Sequence, residues 1–191
     1  MPSVTEEKTL QRRVAGFHDQ RLDGMLELVI RARGSSVLDI GSNRGMVGFE
    51  MAINGATVVH GCDNYREGIE FSRLLFADRR STASQFEVVD LTEGPAALDP
   101  FGKCRYDIVL MLAVYHKIKR QMPPDRLSAL MKEIGDRTIK WFAWRATSDK
   151  PAENDAEMRQ IDQDLAECRL KRVHTSRMSH TLGSCAIWER M

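Results

Sequence analysis

Four short polar segments follow apolar stretches of the sequence, and their residue types suit ligand binding. The first, GSNRG at 41–45, is rich in glycine, and Asp63 follows it about 20 residues further on. A glycine-rich turn before a helix lets a ligand approach the backbone and exposes its amides, while an acidic side chain at this spacing can accept both hydroxyls of a ribose. Asp90 and the pair Tyr115-His116 follow the next two apolar stretches. The pattern therefore predicts a nucleoside site built from several turns.

Two classes of cofactor are bound by this arrangement, the dinucleotides and S-adenosylmethionine. The dinucleotide fingerprint GxGxxG requires glycine at positions 41, 43 and 46, where the sequence has Gly41, Asn43 and Met46. The P-loop pattern GxxxxGK[ST] is absent from the sequence. The residues therefore favour the nucleoside of S-adenosylmethionine over a bound phosphate.

The polar segments lie at the ends of strands in an alternation of strands and helices. Apolar stretches predict seven strands, at 35–41, 56–62, 86–90, 106–114, 138–146, 171–178 and 183–189. Amphipathic stretches predict helices at 6–15, 19–33, 46–54, 65–79, 125–135 and 153–167. The order predicts an α/β fold, a Rossmann-like doubly wound seven-stranded sheet, mostly parallel with an antiparallel C-terminal strand. Ligands of such sheets bind at the carboxyl ends of the strands, where the polar segments lie.

Four sequence segments resemble the successive motifs of the class I S-adenosylmethionine-dependent methyltransferases. They are VLDIGSNRG (37–45), HGCDN (60–64), EVVDL (87–91) and YDIVLMLAVYH (106–116). The resemblance covers roughly residues 20–190 and implies a seven-stranded sheet with a reversed last strand. It also implies transfer of a methyl group from S-adenosylmethionine, with S-adenosylhomocysteine as the product.

The resemblance assigns the residues around the first motif to the methionine part of the cofactor. Asp39 would hold the amino group, and Gly41 and Gly45 would shape the loop beneath the cofactor. The middle glycine of the family is Asn43 here, and since asparagine tolerates a left-handed backbone, we expect the loop to form. Arg44 can pair with the cofactor carboxylate or can be a solvated residue of the first helical turn.

The second and third motifs imply contacts with the nucleoside. Asp63 would accept the ribose hydroxyls, with capping of the next helix as the alternative. Asp90, together with the backbone around Leu91, would face the adenine, although Asp-Leu-Thr can also form an ordinary turn.

The fourth motif places Tyr115 and His116 on the acceptor side. A histidine near its neutral pKa can take a proton from a hydroxyl as the methyl group arrives, so His116 is the candidate general base. The alternative is a histidine bonded to backbone at a strand end. Tyr115 either borders the substrate pocket or packs in the core, and the basic run at 117–120 is interpreted as a solvated loop.

The acceptor class is inferred from motifs that are missing. Methyltransferases that act on the amino groups of bases often carry an Asn/Asp-Pro-Pro-aromatic motif after the fourth strand, where this sequence reads AVYH (113–116). No cysteine stands directly after that strand either, which disfavours a thiol-adduct route to pyrimidines. We therefore expect a small-molecule acceptor, methylated on oxygen or nitrogen. An RNA methyltransferase and a non-catalytic cofactor-binding or scaffold protein stay as alternatives; the latter is supported by Asn43.

Composition narrows the class of protein further. The 191 residues include 28 basic and 27 acidic side chains, a net charge of +1, which disfavours a strongly basic nucleic-acid coat. No apolar run approaches the roughly 18 residues of a membrane span, and the first residues lack the layout of a secretory signal. The four cysteines form no CxxC pair, which favours reduced thiols over disulfides or a zinc site.

These properties predict a cytoplasmic protein without a membrane partner or a metal. We expect one domain, in which N-terminal helices within 1–34 cover the site and residues 35–191 form the core that binds S-adenosylmethionine.

Overall fold

A computed structural model describes residues 20–176 and 183–191 of the chain, so the predicted helix at 6–15 lies outside the described residues. The strands are Ser36–Ile40 (β1), Val58–Asp63 (β2), Ala83–Val88 (β3), Tyr106–Leu112 (β4), Thr138–Arg145 (β5), Leu170–Ser176 (β6) and Cys185–Arg190 (β7). The α-helices of the described ranges are Leu26–Ile30 (α1), Met46–Ile53 (α2), Arg66–Phe76 (α3), Tyr115–Lys119 (α4), Pro124–Arg137 (α5) and Pro151–Ala166 (α6). Two 3-10 segments, Gln20–Leu22 and Leu91–Phe101, complete the regular structure.

The strands form one sheet in the order β3-β2-β1-β4-β5-β7-β6. Neighbours from β3 to β5 pair in parallel, and β7 runs antiparallel to both β5 and β6. The predicted Rossmann-like doubly wound sheet with a reversed C-terminal strand is confirmed, as is the antiparallel pairing of the last two strands. The order reverses between β1 and β4, which makes the carboxyl edge there the expected place for a ligand.

The core lies on both faces of the sheet because the central strands are apolar on both sides. In β4, Val109 and Met111 join one buried cluster while Ile108 and Leu110 join the other, as the alternation of side chains along a strand requires. Helices α5 and α6 cover the first face, and α1, α2 and α3 cover the second.

Several elements differ from the sequence-based prediction. Strand β3 begins at Ala83 and ends before Asp90, because it pairs with β2 through a polar stretch that an apolar pattern does not reveal. Strand β4 ends at Leu112, and the expected solvated loop at 117–120 is mostly helix α4. The segment 91–101, for which no helix or strand was predicted, forms 3-10 turns interrupted at Gly94, whose φ is 74°.

The predicted helix at 19–33 is wrong for most of its length. Of residues 20–33, only Leu26–Ile30 is α-helical, and it follows the 3-10 turn Gln20–Leu22. Gly24 separates the two with a φ of 78°, which a helix interior does not allow. This residue packs so closely on the start of β7 that an added Cβ would lie 2.9 Å from the Cys185 sulfur.

Candidate functional site

The glycine-rich loop joins the end of β1 to the start of α2. Its backbone is left-handed at Gly41 (φ 75°), Asn43 (φ 52°) and Gly45 (φ 68°), which confirms the expectation that asparagine allows the loop to form. The amides of Gly41 and Ser42 both donate to the Cys62 carbonyl, at 2.8 and 2.9 Å. These bonds hold the loop against the end of β2.

The two glycines are also required by close contacts. A Cβ on Gly41 would lie 2.0 Å from Cγ2 of Val114, and one on Gly45 would lie 2.7 Å from the Ser72 hydroxyl oxygen. Both distances are far below van der Waals contact, so the loop is pressed against the residue that precedes α4 and against α3.

Asp63 ends β2 and fixes the glycine-rich loop. Its Oδ2 accepts the backbone N–H of Asn43 at 2.9 Å, and its Oδ1 accepts that of Tyr65 at 2.9 Å. The N-cap of α3 is Tyr65, so Asp63 is not the capping residue of that helix. A carboxylate oxygen has two acceptor sites, so each oxygen keeps one for a further donor such as a hydroxyl.

Asp39 and Asp90 occupy different environments. Asp39 lies in β1, is 2% exposed, and directs its carboxylate toward α2, with Oδ2 3.7 Å from the place a Cβ of Gly48 would take. Asp90 is exposed, and its Oδ1 accepts the amide and the hydroxyl of Thr92 at 2.9 and 2.7 Å. These bonds to Thr92 lower the pKa of Asp90. The Leu91 side chain packs in the core.

All four motifs meet at the carboxyl edge of the sheet. The first and second are joined by the bond from Asn43 to Asp63, and the third joins them because the Val89 amide donates to the Asp63 carbonyl at 2.9 Å. The fourth reaches the loop through the contact between Val114 and Gly41. Arg44 is exposed at the loop and forms no hydrogen bond or ion pair with another described residue.

Tyr115 does not line an open site, which corrects its candidate role as a substrate contact. The residue is fully buried in the core cluster beneath α5 and α6, and its hydroxyl has no hydrogen-bond partner within the described ranges. Burial raises its pKa, so the phenol stays protonated. The packing alternative is the one the structure supports.

His116, the next residue of α4, faces the turn after β5. Its ring is half-buried and approaches the Thr147 hydroxyl, with Nε2 at 3.0 Å and Nδ1 at 3.1 Å from the oxygen. Burial, and then the positive charges of Lys117 and Arg120, lower its pKa below the ordinary value of 6.5. The imidazole is therefore neutral near pH 7 and able to accept a proton.

His116 stands at one end of an open cleft of about 650 Å³ between α4 and α6. The side chains of the cleft come from α4, from the turn after β5, and from α6: His116, Lys119, Arg120, Thr147, Ser148, Asp149, Lys150, Glu153, Ala156 and Glu157. Since β4 and β5 are parallel neighbours, the cleft lies at the same edge as the glycine-rich loop.

Sequence reasoning missed two residues at this edge. Ala113 has a φ of 65°, a strained conformation for a residue with a side chain, and its amide donates to the Arg145 carbonyl at 2.9 Å. Arg145 is 1% exposed and donates to the carbonyls of Arg21 (2.7 Å), Gly183 (3.0 Å) and Asp23. A charged side chain at the end of the apolar stretch at 138–146 was the available signal for Arg145.

Two kinds of site are absent from residues 20–176 and 183–191. No helix there is long and apolar enough to cross a bilayer. No three histidine, cysteine or acidic side chains in these ranges are placed to hold a metal ion.

Comparison with curated proteins gives one kind of relative. No protein-family model matches the sequence. The O-antigen chain terminator bifunctional methyltransferase/kinase WbdD of Escherichia coli is 30% identical over 138 residues, which are 70% of this chain and 19% of the relative. The chain thus spans about a fifth of the length of the curated relatives that it matches.

Comparison with solved structures gives several proteins of similar fold. Magnesium protoporphyrin IX methyltransferase (ChlM) from Synechocystis PCC 6803, crystallised with S-adenosylhomocysteine, has a TM-score of 0.67 at 15% identity, covering 100% of this chain and 89% of that chain. The WbdD structure has a TM-score of 0.59 at 21% identity, covering 88% and 37%. A ribosomal protein L11 methylase from Lactobacillus delbrueckii subsp. bulgaricus has a TM-score of 0.58 at 15% identity, covering 86% and 77%.

Proposed function

We propose that this chain transfers the methyl group of S-adenosylmethionine to a small-molecule acceptor. The premise is that it has the fold of the class I S-adenosylmethionine-dependent methyltransferases and resembles them in its four successive motifs. The atom methylated is an oxygen or a nitrogen. The cleft beside His116 supports a small acceptor, because about 650 Å³ lies within the range of small-molecule sites.

The observation that carries the proposal is the bond between the first two motifs. The Asp63 carboxylate fixes the left-handed Asn43 amide at 2.9 Å and keeps an acceptor site on each oxygen. A carboxylate held in this way beside a glycine-rich loop is suited to two neighbouring ribose hydroxyls. A turn glycine or a helix cap alone would not require this geometry.

The described residues fit the cofactor along its length. Asp39 would hold the methionine amino group, Asp63 the ribose hydroxyls, and Asp90 with the Leu91 backbone would face the adenine. The N-cap of α2 is Gly45, which has no side chain to cap the first turn, so amides at this helix start remain for a carboxylate. Arg44 is exposed beside them and would pair with the same carboxylate.

The chemistry is divided between the cofactor and the chain. When bound, S-adenosylmethionine would supply a methyl group that its positively charged sulfur activates for transfer. His116 would accept the proton of the acceptor, because its lowered pKa keeps the ring neutral near pH 7. The turn after β5 would hold His116 through the Thr147 hydroxyl at 3.0 Å. Placing the acceptor close to the methyl carbon can contribute about 7–11 kcal/mol to lowering the barrier.

The proposal includes the division of the chain and its compartment. Residues 1–34 would cover the site over the core at 35–191, supported by the bonds from Arg145 to the carbonyls of Arg21 and Asp23. A cytoplasmic location would agree with the four cysteines, all of which are free thiols.

Calorimetric titration with S-adenosylhomocysteine tests the proposed cofactor site. We expect micromolar binding by the unaltered chain and at least a tenfold loss in Asp63→Ala, because this substitution removes both the ribose acceptor and the bond to the loop. The matched control is Asp78→Ala, an exposed aspartate after α3 at the opposite edge of the sheet. No binding by the folded chain, or equal loss in both variants, would overturn the proposal.

A further inference from the structure

The cleft between α4 and α6 is lined almost entirely by polar side chains. Among the described residues that line it, Ala156 is the one apolar side chain, and the His116 imidazole is the one aromatic ring. A flat aromatic acceptor gains most of its affinity from apolar and aromatic walls. The lining therefore favours a hydrophilic acceptor rich in hydrogen-bonding groups.

The carboxylate of Glu153 is already occupied by groups of the cleft itself. It accepts the ammonium of Lys150 at 2.9 Å and the hydroxyl of Ser148 at 2.8 Å. This pair neutralises one cation and one anion of the lining and ties the turn after β5 to the first turn of α6.

The cations on the other wall have no such partner. Lys119 and Arg120 are exposed, and neither forms a hydrogen bond or an ion pair with any residue of the described ranges. They follow His116 by three and four positions, the spacings that place side chains on one face of a helix. Two available cations thus lie beside the candidate general base, about one helical turn away.

Glu157 faces these cations from α6. Its carboxyl is half-buried, and burial raises its pKa, while Lys119 and then Arg120 act in the opposite direction. A half-buried carboxyl opposite a base can accept a hydrogen bond from a hydroxyl of the acceptor.

We propose that this cleft takes an acceptor in which the hydroxyl to be methylated stands beside an anionic group, a carboxylate or a phosphate. The inference rests on the proposed function and names the acceptor class of that site. The anionic group lies between Lys119 and Arg120, the reacting hydroxyl lies at His116, and further hydroxyls meet Glu157 and the turn after β5. On transfer, the hydroxyl proton passes to His116, the oxygen gains the methyl carbon, and the electron pair of the broken carbon–sulfur bond stays on sulfur.

Calorimetric titration with three matched probes tests this inference. Gluconate carries a carboxylate next to hydroxyls, glucose 6-phosphate carries a phosphate, and glucose carries neither. Each is titrated into the full chain with and without saturating S-adenosylhomocysteine. We expect at least one anionic probe to bind tenfold more tightly than glucose, and its chemical class distinguishes the carboxylate from the phosphate.

Two charge-removing variants and a control locate the anion. Lys119→Gln and Arg120→Gln are each expected to lower the affinity for the anionic probe at least fivefold. Neither substitution should change the affinity for glucose or for S-adenosylhomocysteine. Lys103→Gln, an exposed lysine before β4 at the opposite edge, is expected to change nothing. The inference would be overturned by any of three results. These are equal affinity for glucose and both anions, no binding of either anion at millimolar concentration, and equal effects of the three variants. If the unaltered chain does not bind S-adenosylhomocysteine, that separate result contradicts the proposed function.

Discussion

His116 is the residue on which the proposed proton transfer depends, and its surroundings set the pH at which it can act. A general base must be neutral, and the pKa of His116 lies below 6.5 because of burial and the charges of Lys117 and Arg120. We therefore expect kcat/KM for an identified acceptor to be constant at neutral pH and to fall as the pH drops through this lowered pKa. His116→Ala is expected to lower the plateau by about 10²–10⁴-fold and to remove the acid limb.

Lys117→Gln is the matched control for this pH profile. The exposed Lys117 is absent from the lining of the cleft, yet its charge disfavours the protonated ring. Its removal should move the acid limb of the profile to higher pH and leave the plateau unchanged. Unchanged turnover in His116→Ala would show that the acceptor needs no base at this position.

The sequence was informative for single residues wherever the chemistry is local. The left-handed loop at Gly41, Asn43 and Gly45 was predictable because backbone preference depends on the residue itself. Ala113 was not predictable, because alanine has no preference for the φ of 65° that it adopts. Its conformation is held from elsewhere in the chain, by the bond to the carbonyl of Arg145.

The contact between the glycine-rich loop and the start of α4 links two elements of the proposed site. Gly41→Ala places a methyl group in a left-handed backbone and against Val114, 2.0 Å from its Cγ2. We expect this variant to lose about 2–4 kcal/mol of unfolding free energy and at least tenfold in S-adenosylhomocysteine affinity. Urea unfolding and calorimetry measure the two losses.

Gly34→Ala separates backbone strain from the loop contact. Gly34 has nearly the same φ, 73°, but nothing lies within 4 Å of an added Cβ. The Gly34→Ala variant should lose about 1–2 kcal/mol of unfolding free energy and keep its affinity for S-adenosylhomocysteine. In the double variant Gly41→Ala with Val114→Ala, part of the stability should return. Equal stability and affinity in the two single glycine variants would mean that the contact with α4 has no role.

Among the helices and strands, the sequence predicted the ones that bury an apolar face. It missed those that form only because of contacts with a neighbouring strand or turn. Helix α6 buries Met158, Ile161 and Leu165, as its spacing predicted. The first half of β3 is exposed and polar, so only its pairing with β2 makes it a strand. Helix α4 is five residues long, too short to show a periodic pattern, and its start depends on the strained backbone at Ala113.

For the whole molecule, the order of apolar segments was enough to predict the number of strands and their directions in the sheet, but not the order of the strands. Alternating strands and helices impose parallel pairing with crossovers, and two adjoining strands impose a hairpin. The reversed last strand was implied by the family resemblance and is confirmed, whereas the insertion of β7 between β5 and β6 was not predicted. The segment before β1 was less predictable, because Gly24 interrupts a helical pattern for a contact with β7 that the sequence does not show.

The net charge of the whole chain separates a small-molecule acceptor from RNA. A protein that neutralises six phosphates loses about 10³-fold in affinity between about 50 and 200 mM salt. This chain has a net charge of +1, and its exposed cations Lys119 and Arg120 face carboxyl groups across a cleft of about 650 Å³. We therefore expect weak RNA binding with a nearly flat dependence of log affinity on log salt. Fluorescence anisotropy of a labelled single-stranded RNA, with S-adenosylhomocysteine present, measures this slope.

A steep slope that Lys119→Gln reduces and Lys103→Gln does not would favour the RNA methyltransferase instead, because the cations of the cleft would then be phosphate contacts.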